Sequence, residues 1–419
     1  MIHPSVYAPS FGSIAKKAFV VMAALLILSV GAVPGYGQNQ PKGEFFFRDG
    51  DRVVVVGDSI TLEGYYVNYL ETFLRTRFPS WTIAVRNAGI NGQTALMRLP
   101  HIDTDVFVWK PTVVVINYGM NDGRCADGVK DYRDGIVPYV EKLLARKLRV
   151  VLCSNSPLDL GDQPGKFTNY NKNFHEMAVF AEKFARERGI AFADQFHFCH
   201  DLWGRNRKRE KPVPVTDQTL ESGPADYVHA RAPGQLTMIH VILKTLGAPA
   251  EVSHASVDAA KGAIAARNCE IRDFKKTDEG RRLAFVRADR ASACWMKWGA
   301  GALELVPFQE ELNRMTLQVT SLSSGTYELT IEGKVHGRFP SRSLAEGINL
   351  SLNLESAVYE VGRKVDAWAW DQRRESIVRA RTGIIPFSDV DKLDAQTAAA
   401  AVPAPQRYEL VRVEDREDK

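Results

Sequence analysis

Apolar and polar positions follow two different rhythms along this 419-residue chain, and the change between them divides it. From residue 52 to 248, short β-branched runs alternate with segments that place apolar groups at helical spacing. Arg52–Val56 is the first run and ends at Gly57. Trp81–Asn87, Thr112–Tyr118, Arg149–Ser154 and Ile190–Asp194 follow. Between them, residues 64–78, 136–147 and 169–188 read as helices. A last helix, Gly234–Leu246, sets Leu236, Ile239, Ile242, Leu243 and Leu246 on one side. Near-continuous apolar strands separated by helices predict an α/β fold, a parallel sheet covered on both faces.

Beyond about residue 250 the texture changes. Residues 251–310 are mixed, with a charged stretch at Arg272–Arg282. Met315–Val319 and Thr326–Glu332 alternate around Ser323-Ser324-Gly325, which predicts a hairpin in a β-rich module over about 315–352. Residues 355–382 read as helical, and the Ala- and Pro-rich 394–406 as a linker. The expected organisation is a domain over 45–249, a mixed extension over 250–390 and a flexible tail over 391–419.

Composition adds two constraints. Apolar content of 45% and charged content of 25% are ordinary for a globular protein. A formal charge of +4 without a basic, aromatic-rich run excludes nucleic acid as a partner. Lys16 and Lys17 precede an uncharged apolar run from Ala18 to Val33, and Gly35 and Gly37 follow. This pattern predicts a secretory signal over 1–37, cleaved near Gly37–Gln38, and hence a secreted or periplasmic protein with no membrane span after cleavage. The run is short of the roughly 20 residues that span a bilayer, and an uncleaved N-terminal anchor is the alternative. Cleavage lowers the charge to +2. Five cysteines show neither a metal-binding nor a disulfide framework, and Cys153 reads as a buried thiol.

The candidate chemistry lies at the strand ends. Gly57-Asp58-Ser59-Ile60-Thr61 follows the first strand, where open α/β sheets bind ligands, and a glycine there lets the chain turn tightly into a helix. Capping of that helix by Asp58 or Ser59 is the alternative. Asn87-Ala88-Gly89-Ile90-Asn91-Gly92 follows the second strand and offers a backbone N–H at Gly92, with Asn87 as a brace. Gly119-Met120-Asn121-Asp122 follows the third. Its Asn121 amide is a second donor for a developing oxyanion, or else builds an Asx turn, and Asp122 reads as a loop brace. Asp226 and His229 stand three apart on a predicted turn before the last helix, a spacing that lets the carboxylate hold Nδ1 and leaves Nε2 free. Asp194 and His197 repeat that spacing. The surrounding His-Phe-Cys-His-Asp cluster reads as aromatic packing or a surface turn.

Taken together and in order, these four blocks resemble those of the SGNH hydrolases, also called GDSL-type esterases and lipases. The resemblance covers roughly residues 50–248. It implies a three-layer α/β/α flavodoxin-like domain with strand order 2-1-3-4-5. It implies Ser59 as nucleophile, His229 as base and Asp226 as its orienting partner, with an oxyanion hole from the N–H groups of Ser59 and Gly92 and the Asn121 side chain. Gly92 rather than Gly89 fits the family's second glycine. Ile60-Thr61 replaces the family's name-giving Leu, and Thr61 rules out the G-x-S-x-G elbow.

The expected reaction is hydrolysis of a carboxylic ester without cofactor or metal. The expected partner is a small-molecule or polymeric ester, with short acyl esters of glycans foremost. A lipid-directed esterase and a non-catalytic glycan-binding module are the alternatives. Tyr65, Tyr66 and Tyr118 form either a sugar or acyl platform or core. Trp295, Trp298, Trp368 and Trp370 in the extension serve either substrate contact or packing.

Overall fold

A computed structural model describes residues 44–160, 169–217, 226–278, 281–384 and 386–413. The secretory signal expected over 1–37 lies outside them. Among the described residues no helix is long and apolar enough to cross a membrane.

The first half builds a parallel sheet. Its strands are β1 (Arg52–Gly57), β2 (Ala84–Gly89), β3 (Val113–Asn117), β4 (Arg149–Cys153) and β5 (Ala191–Ala193), in the order β2-β1-β3-β4-β5. Val53–Val56 of central β1 are fully buried, as β-branched side chains covered on both faces must be. The helices of this half are α1 (Ser59–Glu63), α2 (Tyr65–Arg77), α3 (Ala95–Arg98), α4 (Ile102–Asp105), α5 (Gly128–Ala145), α6 (Tyr170–Arg188) and α7 (Gln195–Arg207). The small pair β6 (Thr216–Asp217) and β7 (Asp226–Ala230) and helix α8 (Ala232–Thr245) complete it. The expected three-layer α/β/α fold is therefore present, with β2 starting three residues later than the sequence pattern predicts.

The second half is a β-sandwich. Strands β8 (Glu251–Asp258), β9 (Ile264–Arg267), β10 (Cys269–Thr277) and β11 (Arg282–Asp289) occupy the stretch read as mixed and charged. After α9 (Phe308–Glu311) come β12 (Arg314–Thr320), β13 (Thr326–Ile331), β14 (Lys334–Pro340), α10 (Ser341–Glu346) and β15 (Ile348–Asn349). The chain closes with α11 (Glu360–Ala367), α12 (Arg374–Arg381), α13 (Phe387–Ala400) and β16 (Gln406–Val413). One sheet runs β10-β11-β16-β13-β14 and the other β15-β12-β8-β9. Val252, Leu317 and Val319 from one sheet and Leu283, Leu329, Tyr408 and Leu410 from the other share one core.

Two expectations fail here. The hairpin expected across Ser323–Gly325 does not form. Strand β12 pairs in parallel with β8, and the turn carries the chain into the other sheet, where β13 pairs with β14. The residues turning that real hairpin, Glu332 and Gly333, both have positive φ (51° and 71°), as a type I′ turn needs. The second failure is the tail: residues 391–413 are not loose. They supply most of α13 and all of β16, which sits third in a five-stranded sheet.

The extension also enters the α/β core. Cys294, Met296, Phe308, Leu312, Ile377 and Val390 are buried in the same cluster as β1 and α2. Arg86 on edge strand β2 is 1% exposed and bonds Asp394 of α13 at 2.5 Å, while Arg75 of α2 reaches the same carboxylate at 2.7 Å. Among the described residues all five cysteines are free; Cys125 is exposed and the other four, including Cys153, are buried.

Candidate active site

Strand β1 delivers Ser59. Gly57 must be glycine because an added Cβ would lie 2.0 Å from Thr61 Oγ1 and 2.6 Å from the Asn117 carbonyl. Asp58 then caps α1, its carboxylate accepting the Ile60 N–H at 3.0 Å. The capping alternative therefore describes Asp58, and it leaves the next residue, Ser59, at the first position of the helix, partly exposed.

Across the site stands His229. Its Nε2 lies 2.8 Å from Ser59 Oγ, and its Nδ1 lies 2.5 Å from Asp226 Oδ2. Asp226 also accepts the Val228 N–H at 2.8 Å, which fixes its carboxylate independently of the ring. The segment is a strand rather than the expected turn, because β7 pairs antiparallel with β6. Burial pushes the Asp226 carboxyl up, but hydrogen bonds from His229 and Val228 outweigh it, so the group stays ionised below the usual carboxylate range.

The two donors sit on the neighbouring loops. Gly92 adopts φ +69°, and an added Cβ would meet nothing within 4 Å. Its left-handed conformation thus favours glycine there. Asn121 is tied to the same loop, its Nδ2 donating to the Gln93 carbonyl at 3.1 Å. Asn87 braces the loop as expected: its Nδ2 donates to the Thr61 carbonyl at 2.6 Å and its Oδ1 accepts the Gly89 N–H at 2.9 Å.

Asp194 and His197 also form a pair, at 2.7 Å, but Asp194 caps α7 and His197 Nε2 meets His175 Nδ1 at 2.8 Å instead of a hydroxyl. The three-residue spacing makes an Asp–His pair in both places. Only His229 has its Nε2 on a serine hydroxyl; at the other pair Ser154 Oγ donates to the Asp194 carboxylate at 3.1 Å. The His-Phe-Cys-His-Asp cluster lies within α7, and not on a surface turn.

One residue escapes the motif reading and another departs from it. Gln235, fully buried, accepts the Tyr66 N–H at 3.0 Å and donates to Glu63 Oε2 at 2.9 Å and to the Ala230 carbonyl at 2.8 Å. It joins the start of α2 and the end of α1 to the strand that carries His229. Its only sequence signal is a polar residue on the apolar face of the last helix. Asp122 departs from its expected role as a brace. It is 1% exposed, and neither carboxylate oxygen has a hydrogen-bond partner among the described residues.

Burial pushes the Asp122 carboxyl up to about 7, and the Asp58 and Asp131 charges add to this. An acid whose folded value lies above its unfolded value of 3.8 costs stability as pH rises through that window, and the cost is complete above pH 7. Asp122→Asn is therefore expected to gain stability relative to the parent chain by about 2 kcal/mol more at pH 8 than at pH 5. Urea unfolding at the two pH values checks this, and a constant difference would refute it.

Residues 55–235 match the GDSL-like lipase/acylhydrolase family model. No curated protein matches the chain. Among solved structures, a gut microbial diltiazem-metabolizing enzyme is 22% identical and covers 88% of this chain and 98% of its own, with a TM-score of 0.70. The fold of domain and extension together is thus shared with that protein. The acetylxylan esterase Axe2 from Geobacillus stearothermophilus is 19% identical, covers 48% of this chain and 96% of its own, and has a TM-score of 0.38.

Proposed function

We propose that this chain, a carboxylic ester hydrolase whose residues 55–235 match the GDSL-like lipase/acylhydrolase family model, works by a Ser59–His229–Asp226 triad. One observation carries the assignment, the continuous hydrogen-bonded relay from Asp226 Oδ2 through the His229 ring to Ser59 Oγ.

Asp226, kept ionised, accepts a hydrogen bond from the Nδ1–H of His229 and leaves Nε2 as the base. Nε2 takes the Ser59 proton as Oγ attacks the ester carbonyl. The N–H groups of Ser59 and Gly92 and the Asn121 amide hold the negative oxygen that develops. His229 then protonates the departing alcohol, and an acyl group stays on Ser59. Water, deprotonated by His229, attacks the acyl carbon and releases the acid, restoring the serine. Asn121, which donates to the Gln93 carbonyl at rest, turns that amide toward the oxyanion.

We propose short acyl esters of glycans, acetyl esters foremost, as substrates. This rests on export, read from the apolar run Ala18–Val33 behind Lys16 and Lys17. The test is hydrolysis of p-nitrophenyl acetate and octanoate by the chain from Gln38, together with labelling by a fluorophosphonate. Turnover of the acetate with the label on the Ser59 peptide is the expected result. A label elsewhere, or folded protein that takes neither ester nor label, would overturn the triad. Preference for octanoate would overturn the short-acyl assignment alone.

A further inference from the structure

The aromatic residues singled out in the sequence separate once their surroundings are known. Tyr66 and Tyr118 are 0% and 1% exposed and belong to the core. Tyr65 is only partly buried, and its ring stacks on Trp370 with centroids 4.6 Å apart and planes 19° apart. Trp370 is also partly exposed. It lies on the π-helical turn Trp368–Arg373 of the extension, far outside the 55–235 match.

Several contacts connect this pair to the elements that carry the proposed triad. Tyr65 opens α2 immediately after Gly64, which ends the helix that begins with Ser59. The Gln235 bridge holds Glu63 and the Tyr66 N–H against the carbonyl of Ala230, the neighbour of His229. Trp370 shares a cavity wall with Gly64 and Asn87, and Asn87 bonds both α1 and the start of the Gly92 loop. Arg381, eleven residues further along the extension, donates to the Gly89 carbonyl at 3.3 Å. The extension thus reaches the site's rim at three points.

Resting on the triad reading above, the chemistry gives this rim a side. His229 protonates the leaving oxygen, so the alcohol part of the ester departs beside His229. The Glu63–Gln235–Ala230 bridge ties the start of α2 to that same side. Two stacked rings with part of their surface open to solvent suit a flat ring, either the C–H face of a pyranose or an aromatic ring, better than a flexible chain. We propose that Tyr65 and Trp370 form the subsite for a ring-bearing alcohol, with the extension supplying half of it.

The test compares kcat/KM of Trp370→Leu and Trp370→Phe with the parent on ethyl acetate, phenyl acetate, a peracetylated methyl pyranoside and ethyl benzoate. Leu keeps apolar packing and removes the flat ring, while Phe keeps a ring. Trp370→Leu is expected to lose roughly tenfold more on the two ring-bearing acetates than on ethyl acetate, with Phe recovering most of the difference. A selective loss on the pyranoside or on phenyl acetate alone tells which kind of ring the pair takes. Equal losses on all esters would assign Trp370 to packing and overturn the subsite, as would a loss that follows the ring into the acyl part of ethyl benzoate. Tyr65→Leu should repeat the pattern if Trp370 variants do not fold, and its failure to do so counts equally against the subsite. Failure of the triad reading looks different: the parent chain turns over none of the four esters and Ser59 takes no fluorophosphonate.

Discussion

Replacing Ser59 with Ala is expected to lower turnover of p-nitrophenyl acetate by about 10⁴- to 10⁶-fold, with the protein still folded. Ser59 is partly exposed, and its hydroxyl bonds the His229 ring across the site, so the alanine removes the proposed nucleophile without opening a buried cavity. His229→Ala should cost about as much. The double variant should cost no more than either alone, because in the proposed triad serine and histidine act as one unit. Asp226→Asn tests a finer point. An amide in place of the carboxylate can donate to Nδ1, and the tautomer that then results puts the proton on Nε2, where it cannot serve as base. A loss of about 10⁴-fold is expected. Asn121→Ala should lose about 10²- to 10³-fold in kcat with little change in KM, because its amide is needed at the oxyanion rather than at the bound ester. Steady-state kinetics on all five variants check the set. Equal, small losses throughout would show that these residues only shape the pocket.

Much of this site was legible because each block is local. A β-branched run ending in Gly57-Asp58-Ser59 fixes a strand, a turn and a helix start within ten residues, and the structure repeats that order. The Asp226–His229 pair was legible for the same reason, since a three-residue spacing nearly dictates the hydrogen bond. Locality also explains the ambiguity: Asp194 and His197 form the same bond, and only the fold shows which histidine meets Ser59. Gln235, Trp370 and Arg381 act across separations that no window contains. Gln235 bonds Tyr66, 169 positions away, and Arg381 bonds Gly89, 292 positions away. The tail was misread because alanine-rich composition marks both linkers and helices. Four consecutive alanines favour a helix wherever one face can be buried, and here Val390 and Thr397 are buried.

Asp394 sits in that misread helix, and Asp394→Ala is expected to destabilise the whole chain by about 3–5 kcal/mol. The size follows from what the carboxylate faces. Arg86 and Arg75 are 1% and 2% exposed and both donate to it, at 2.5 and 2.7 Å, so its loss leaves buried guanidinium charge poorly compensated. Arg75 retains Glu71 at 2.8 Å and Arg86 retains Asp391 at 2.9 Å. Asp391 is 55% exposed, however, and screening by water leaves such a partner worth under about 1 kcal/mol. Asp391→Ala should accordingly cost several-fold less than Asp394→Ala, and urea unfolding of the two variants gives the comparison directly. Similar small losses from both would mean that water reaches Arg86. A large loss from Asp394→Ala alone means that α13 neutralises charge the α/β domain cannot bury unaided. Cutting the chain near residue 250 should then yield insoluble protein, because it removes the counter-charge of Arg86 and uncovers the apolar surface that Met296, Phe308, Leu312, Ile377 and Val390 bury. On that outcome the extension is a condition for folding the catalytic domain, and its place at the rim of the site comes with that role.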